Sequence, residues 1–226
     1  DEHVRMIQRG EIDISFSNPF IYVQIAQDGA RAFARVVESS GRPDFRGQVI
    51  CRADNQAIRS IRDCRGKRWM AVDPSSAGGF LFPLGLFYEH GIRRDDFREV
   101  AFAPGPGGKQ EKVVLAVNAG TYDIGSIREG TLDILKGRID LGNIRVLAET
   151  RPYPGWVYAA RPGLDPDITR RLAEAMFALT PADPGDLAIL RAAGIAGIIP
   201  ATDADYGPIR ELAFTLGLGP GPEERP

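Results

Sequence analysis

The residues best suited to chemistry lie in Ser75-Ser76-Ala77-Gly78-Gly79, a turn that follows a strand-like run and opens a helix. Small side chains let backbone N–H groups come close to a ligand, and a helix start adds unpaired donors and partial positive charge. Such a turn suits an oxyanion. Read alone, it is also an ordinary serine-capped helix after a tight turn. Arg128 stands just past a strand, where a guanidinium can bind an anion through its planar fork; a solvated surface arginine is the alternative. Tyr22 and Tyr153 each offer a hydroxyl and a packing face beside such a site, with core packing as the other reading.

Other chemistries find little support. The loop Gly105 to Lys109 superficially resembles a phosphate loop, but Ala103 stands where the first glycine belongs and Gln110 where Ser or Thr should follow the lysine. There is no Gly-x-Ser-x-Gly elbow, and His3 and His90 are the only histidines, which limits His-based catalysis and metal binding. His90, in Glu89-His90-Gly91, reads as a helix C-terminal histidine favoured by the dipole. A net charge of -2 with mixed signs gives no reason to expect nucleic acid or an anionic membrane as partner. No run of about 18 apolar residues spans a bilayer, and no basic, then apolar, leader opens the sequence, which reads as cytosolic or already processed. Cys51 and Cys64 are too few and wrongly spaced for zinc. They form one disulfide in an oxidising compartment or remain two buried thiols; the disulfide would close a loop of about 14 residues and add about 3 kcal/mol.

The elements that position these residues begin with a motif used twice. Apolar-periodic runs reach Gly10-Glu11-Ile12-Asp13-Ile14 and Gly120-Thr121-Tyr122-Asp123-Ile124, so each reads as helix, glycine stop, strand. A polar, loop-like segment follows each strand: Ser15-Phe16-Ser17-Asn18-Pro19 and Gly125-Ser126-Ile127-Arg128. Ligands of open α/β sheets sit beyond the carboxyl ends of strands, so two equivalent loops imply two lobes facing one ligand. Elsewhere the sequence predicts strands over 11–16, at 36–37, 49–51, 68–72 and 100–102 and within 144–160. Helices are predicted around 22–25, 58–64 and 84–89, and over 165–179, 184–193 and 205–216, with a frayed tail at Gly219-Pro220-Gly221-Pro222. Strands separated by helices mean α/β, and 226 residues with 43% hydrophobic content allow one large or two small domains with real cores.

Taken together the chain resembles the phosphate/phosphite/phosphonate-type substrate-binding proteins of ABC transporters. Ser76-Ala77-Gly78-Gly79-Phe80-Leu81-Phe82-Pro83 is similar, in frame, to that family's Ser-Thr-Ser-Gly-Tyr-Leu-x-Pro anion loop. The Gly-x-x-Asp-Ile strand followed by Asn18-Pro19-Phe20-Ile21-Tyr22 resembles its first ligand segment, and Ile61 to Arg68 resembles its short helix and Asp-Leu-Lys-Gly-Lys element, with Cys64 at the leucine. The run Ile189-Leu190, Gly194 to Pro200 and Asp203 to Tyr206 is similar too. Three departures stand out. Ala77 and Gly78 replace two hydroxyl residues; Gln110-Glu111 stands where the family commonly has His-Asp; and family members usually begin with a further strand-helix-strand unit.

The resemblance implies an α/β, two-lobed class II periplasmic-binding-protein fold with a ligand cleft between the lobes and two hinge strands. Lobe A would take 1–47 and 161–226, lobe B 54–143, and the hinges 48–53 and 144–160. It implies extracytoplasmic, noncatalytic capture of a small oxyanion without a cofactor, and delivery to an ABC permease. Ser75, Ser76, Ala77 and Gly78 would donate from backbone and hydroxyl groups, Arg128 would supply charge, and Asn18, Tyr22, Ser126 and Gln110 would close the site. A sensor domain of a signalling protein such as a histidine kinase is the second reading. A hydrolase with Ser76 as nucleophile is the third, and it lacks a base in any recognisable motif. Asp13 to Phe16 is expected as an inner strand whose missing neighbours would leave lobe A open to self-association.

Overall fold

The computed structural model describes residues 2–219. In chain order, the first half contains α1 (Glu2–Gln8), β1 (Ile14–Ser17), α2 (Pro19–Ile25), β2 (Arg31–Glu38), β3 (Asp44–Phe45), β4 (Gly47–Arg52), β5 (Arg68–Ala71), α3 (Phe82–Glu89) and β6 (Glu99–Phe102). The second contains α4 (Lys109–Asn118), β7 (Ile124–Arg128), α5 (Thr131–Leu135), β8 (Ile144–Glu149), β9 (Tyr153–Pro154), β10 (Val157–Ala160), α6 (Pro166–Phe177), α7 (Pro184–Ala193), β11 (Ile195–Pro200) and α8 (Gly207–Thr215). The tail expected from Gly219 lies, beyond that residue, outside the described residues.

The repeated motif makes the same corner twice. Gly10 and Gly120 adopt φ of +71° and +73°, a region open to glycine and strained for other residues. At the first corner Gly10 N–H donates to Ile7 O and Glu11 N–H to Met6 O; at the second Gly120 N–H donates to Val117 O and Thr121 N–H to Ala116 O. This paired pattern satisfies the last helical carbonyls and stops the helix. The aspartate that follows ties the entering strand to its neighbour: Asp13 accepts from Arg161 Nε at 2.7 Å, and Asp123 from the Arg68 N–H at 2.8 Å.

Beyond these corners the chain differs from the sequence reading. The strand predicted over 11–16 runs on through Ser17, and Gly125 to Arg128, a polar segment read as loop-like, is strand as well. Their serines are buried, and the hydroxyls are paired: Ser15 with His3 Nε2 at 2.8 Å and with Ser17 Oγ at 3.3 Å, Ser126 with Trp69 and Gly79. A buried polar group is tolerated when it is so bonded. Ile195–Pro200 forms a strand that the sequence does not predict, because Gly197 and Pro200 interrupt its apolar run.

Two compact units result, one from 1–45 with 153–226 and one from 46–152. Among the described residues the first unit holds a four-stranded antiparallel sheet, β1-β10-β2-β11, and the short pair β3-β9. In its core α2 packs against α8, with Phe20, Tyr22, Val23, Tyr206 and Ile209 buried and the Tyr22 and Tyr206 rings in contact. Here β1 lies at the sheet edge, paired with β10 alone, where an inner strand was expected. The second unit holds β6-β5-β7-β4-β8, with β5 parallel to β6 and β7 and with β4 antiparallel to β7 and β8. Val113, Val114 and Val117 of α4 pack on this sheet beside Ile50 and Ile127. Residues 48–53, read as a hinge strand, form most of β4, which has neighbours on both sides. The other expected hinge, 144–160, contains the second crossing between units, at 152/153; the first is at 45/46. Among the described residues no helix is long and apolar enough to cross a membrane.

Cys51, on β4, and Cys64 are buried free thiols, not a disulfide. Arg145 donates to Cys51 Sγ at 3.5 Å, and burial pushes the Cys64 thiol up to about 12. Neither side chain meets solvent and Cys64 carries almost no thiolate at neutral pH. A maleimide is therefore expected to label neither cysteine in the native protein and both in denaturant, read by intact mass. Labelling of either one under native conditions would show an opening that the packing does not provide.

Candidate functional site

The site grows from β5 into the turn that follows it. Asp73 sits two residues past the strand, and its Oδ1 accepts the Ser75 N–H at 2.9 Å and the Ser75 O–H at 2.7 Å, a side-chain-closed turn. Ser76 then caps the helix: its Oγ accepts the Gly79 N–H at 3.1 Å and its carbonyl accepts the Leu81 N–H at 3.0 Å. A π-helical turn, Ala77–Leu81, runs directly into α3. The N–H groups of Ala77 and Gly78 precede the first N–H bonded to a carbonyl within the helix, that of Leu81, so they are donors of the kind a helix start offers to a ligand.

Gly79 locks this turn to the sheet. Its carbonyl accepts from Val72 N–H at 3.3 Å and from the Ser126 hydroxyl at 2.6 Å, while Ser126 accepts the Trp69 indole N–H at 2.9 Å. The side chain expected as a ligand donor is thus a fully buried brace behind the turn.

Two residues at the start of α4 add further ties. Lys109 pairs its ammonium with Asp73 Oδ2, and Gln110 Oε1 accepts the Arg128 N–H at 2.9 Å at the end of β7. Arg128 O in turn accepts the Thr131 hydroxyl at 2.7 Å. Burial raises the Asp73 carboxyl, but Lys109 and the two Ser75 donors outweigh it and hold the group below the usual carboxylate range. Ser75, Ser76, Ala77, Gly78, Gln110, Ser126 and Arg128 are therefore brought into one bonded assembly within the second unit.

The candidates in the first unit have other surroundings. Asn18 caps α2, its Oδ1 accepting from Phe20 N–H at 2.9 Å and Ile21 N–H at 3.3 Å. Tyr22, expected to close the site, is fully buried: its hydroxyl donates to Asp203 at 2.9 Å and accepts from Ala32 N–H at 3.2 Å, and its ring meets Tyr206 edge-on. That burial raises its phenol above the ordinary range. Tyr153 is buried on β9, opposite Phe45. For both tyrosines packing decides the position, since a ring on an inward-facing site removes more apolar area from water than one at a loop tip. An apolar groove of about 570 Å³ also opens in the first unit, lined by Phe33, Leu164 and Ala173 among others, and it contains none of the oxyanion candidates.

Reading the sequence placed Gly79 in the turn but gave Asp73, Lys109 and Trp69 no role in this assembly. For Asp73 a signal existed, an aspartate two residues before a serine in a turn. For Lys109 none did, because its partner lies 36 positions away.

The two α/β units have the class II periplasmic-binding-protein fold, as comparison with solved structures shows. A binding protein of an ABC phosphonate transporter from Pseudomonas aeruginosa superposes with a TM-score of 0.79 at 18% identity, covering 96% of this chain and 72% of that one. PhnD1 from Prochlorococcus marinus, solved in complex with methylphosphonate, gives 0.82 at 16%, covering 96% and 83%. Residues 1–206 match the family described as "ABC transporter, phosphonate, periplasmic substrate-binding protein", and the chain belongs to that family. Its members are substrate-binding components of importers, not enzymes. Among curated relatives, the phosphate-import protein PhnD of Mycolicibacterium smegmatis is 28% identical over 92% of this chain and 70% of its own length.

Proposed function

We propose that this protein captures a small tetrahedral oxyanion of the phosphonate, phosphite or phosphate class outside the cytoplasmic membrane and hands it to an ABC permease. The observation that carries the reading is the capped helix start at Ser76, where Ala77 and Gly78 present backbone donors from a turn braced by Asp73 and Ser126. The family membership and the ligands named for its relatives, phosphate and methylphosphonate, point the same way. Ala77 and Gly78 provide no hydroxyls, so backbone N–H groups and Ser76 carry most of the donation. We place the hinges at the two crossings, 45/46 and 152/153.

Calorimetric titration with phosphate, phosphite, methylphosphonate, aminoethylphosphonate and sulfate tests the reading. At least one of the phosphorus oxyanions is expected to bind well below millimolar; if none does while an uncharged solute binds, the proposal fails. Arg128→Ala is expected to weaken that binding by about 1.5–3 kcal/mol, the scale of a hydrogen bond to a charged group, with little change in thermal midpoint. Unchanged affinity would return Arg128 to a surface role.

A further inference from the structure

The turn that offers donors to an anion also holds a carboxylate. Asp73 Oδ1 is bonded to both the N–H and the O–H of Ser75, so the group that shapes the turn brings a full negative charge to within one side chain of the proposed ligand. Uncompensated, such a charge would oppose the ligand that the helix start attracts. Lys109 meets this conflict directly, with its ammonium on the other oxygen of the same carboxylate.

The position of Lys109 is itself informative. It is the first residue of α4, and a cation in the first helical turn is opposed by the helix dipole. No other acidic side chain bonds its ammonium among the described residues, and local helix chemistry favours Asp, Glu or an uncharged residue there. A reason outside the helix is needed. We propose, building on the oxyanion reading, that Lys109 is a built-in counter-ion: by cancelling Asp73 it allows this turn to hold a doubly charged oxyanion, and it sets the protein's selectivity by ligand charge. Lys109 acts through Asp73 as a positioning and charge-balancing residue.

The Coulomb energy between Asp73 and the ligand scales linearly with the ligand's charge. With both side chains about 30% exposed, screening is substantial, and removal of the lysine charge is expected to cost about tenfold in affinity per unit of ligand charge. A dianion would then lose about a hundredfold and a monoanion about tenfold.

The test is calorimetry on the full chain with inorganic phosphate and methylphosphonate as probes, at about pH 8.5, where both are chiefly dianionic. Lys109→Met and Lys109→Gln are each expected to bind about a hundredfold more weakly, and Lys109→Arg within about threefold of the parent. The deciding variant is Asp73→Asn combined with Lys109→Met. Asparagine keeps the carbonyl oxygen that accepts from Ser75 but carries no charge, so binding should return to within about threefold of the parent. A lysine that merely held the turn in place would not be rescued by removing its partner's charge. Thermal midpoints for every variant establish that each is folded. If the parent protein binds neither probe, the oxyanion reading falls and this inference with it. If the parent binds but Lys109→Met matches it, or the double variant stays as weak as the single one, the counter-ion role is overturned and the oxyanion reading stands.

Discussion

Replacing Trp69 by alanine is expected to lower the unfolding free energy by about 3–5 kcal/mol, the range for deleting a large aromatic from a packed core. Trp69 is fully buried on β5, its ring 5.0 Å from Phe97, 5.1 Å from Phe87 and 5.7 Å from Phe80, centroid to centroid. The substitution opens a cavity at the centre of this cluster and removes the indole donor from Ser126. A loss of that size is a large part of a typical domain's 5–15 kcal/mol. Urea unfolding followed by circular dichroism measures it, and a loss below about 1 kcal/mol would show that the cluster can collapse around the gap. Trp69→Phe separates the two contributions. It refills much of the cavity but leaves the buried Ser126 hydroxyl without its donor, for an expected cost of about 1–3 kcal/mol.

The second large effect is expected at Gly79, where the constraint is space and not backbone conformation. A Cβ there would lie 2.3 Å from Val72 Cγ2, 2.6 Å from Val72 Cβ and 3.0 Å from Ser76 Oγ. Val72 is buried behind the turn and Gly79 is bonded through both its N–H and its carbonyl, so neither can retreat without breaking the braces that shape the helix start. Gly79→Ala is expected to destabilise by about 1–3 kcal/mol through overpacking and to abolish measurable oxyanion binding, because the donors of Ala77 and Gly78 move with the turn. Val72→Gly removes both clashing carbons, so in that background Gly79→Ala should cost much less than it does alone. Purely additive losses in the double variant would place the strain elsewhere.

Much of this protein was legible in its residues because the signals were local. Gly10 and Gly120 announced helix stops that hold by the same two hydrogen bonds at each corner, and apolar spacing marked α4, whose valines meet the second unit's sheet. The serine-capped turn at Ser76 was legible for the same reason, since a cap and its N–H lie three residues apart. Where structure and sequence differ, local polarity does not mean exposure. Ser15, Ser17 and Ser126 look like loop residues, yet each is a strand residue whose hydroxyl finds a buried partner. Tyr22 offered a hydroxyl for a ligand and instead gives it to Asp203, far away in the chain.

By itself, then, the sequence determined the α/β character, the two glycine corners, the serine-capped helix start and the family pattern, each read from residues within a few positions of one another. Only the tertiary structure decided that β4 is an interior strand, that Cys51 and Cys64 are buried free thiols, that Ser126 braces Gly79 from behind, and that Lys109 answers Asp73. These pairings join residues tens of positions apart, and their selection depends on which side chains the sheet order brings together and on the cost of leaving a buried polar group or a charge without a partner.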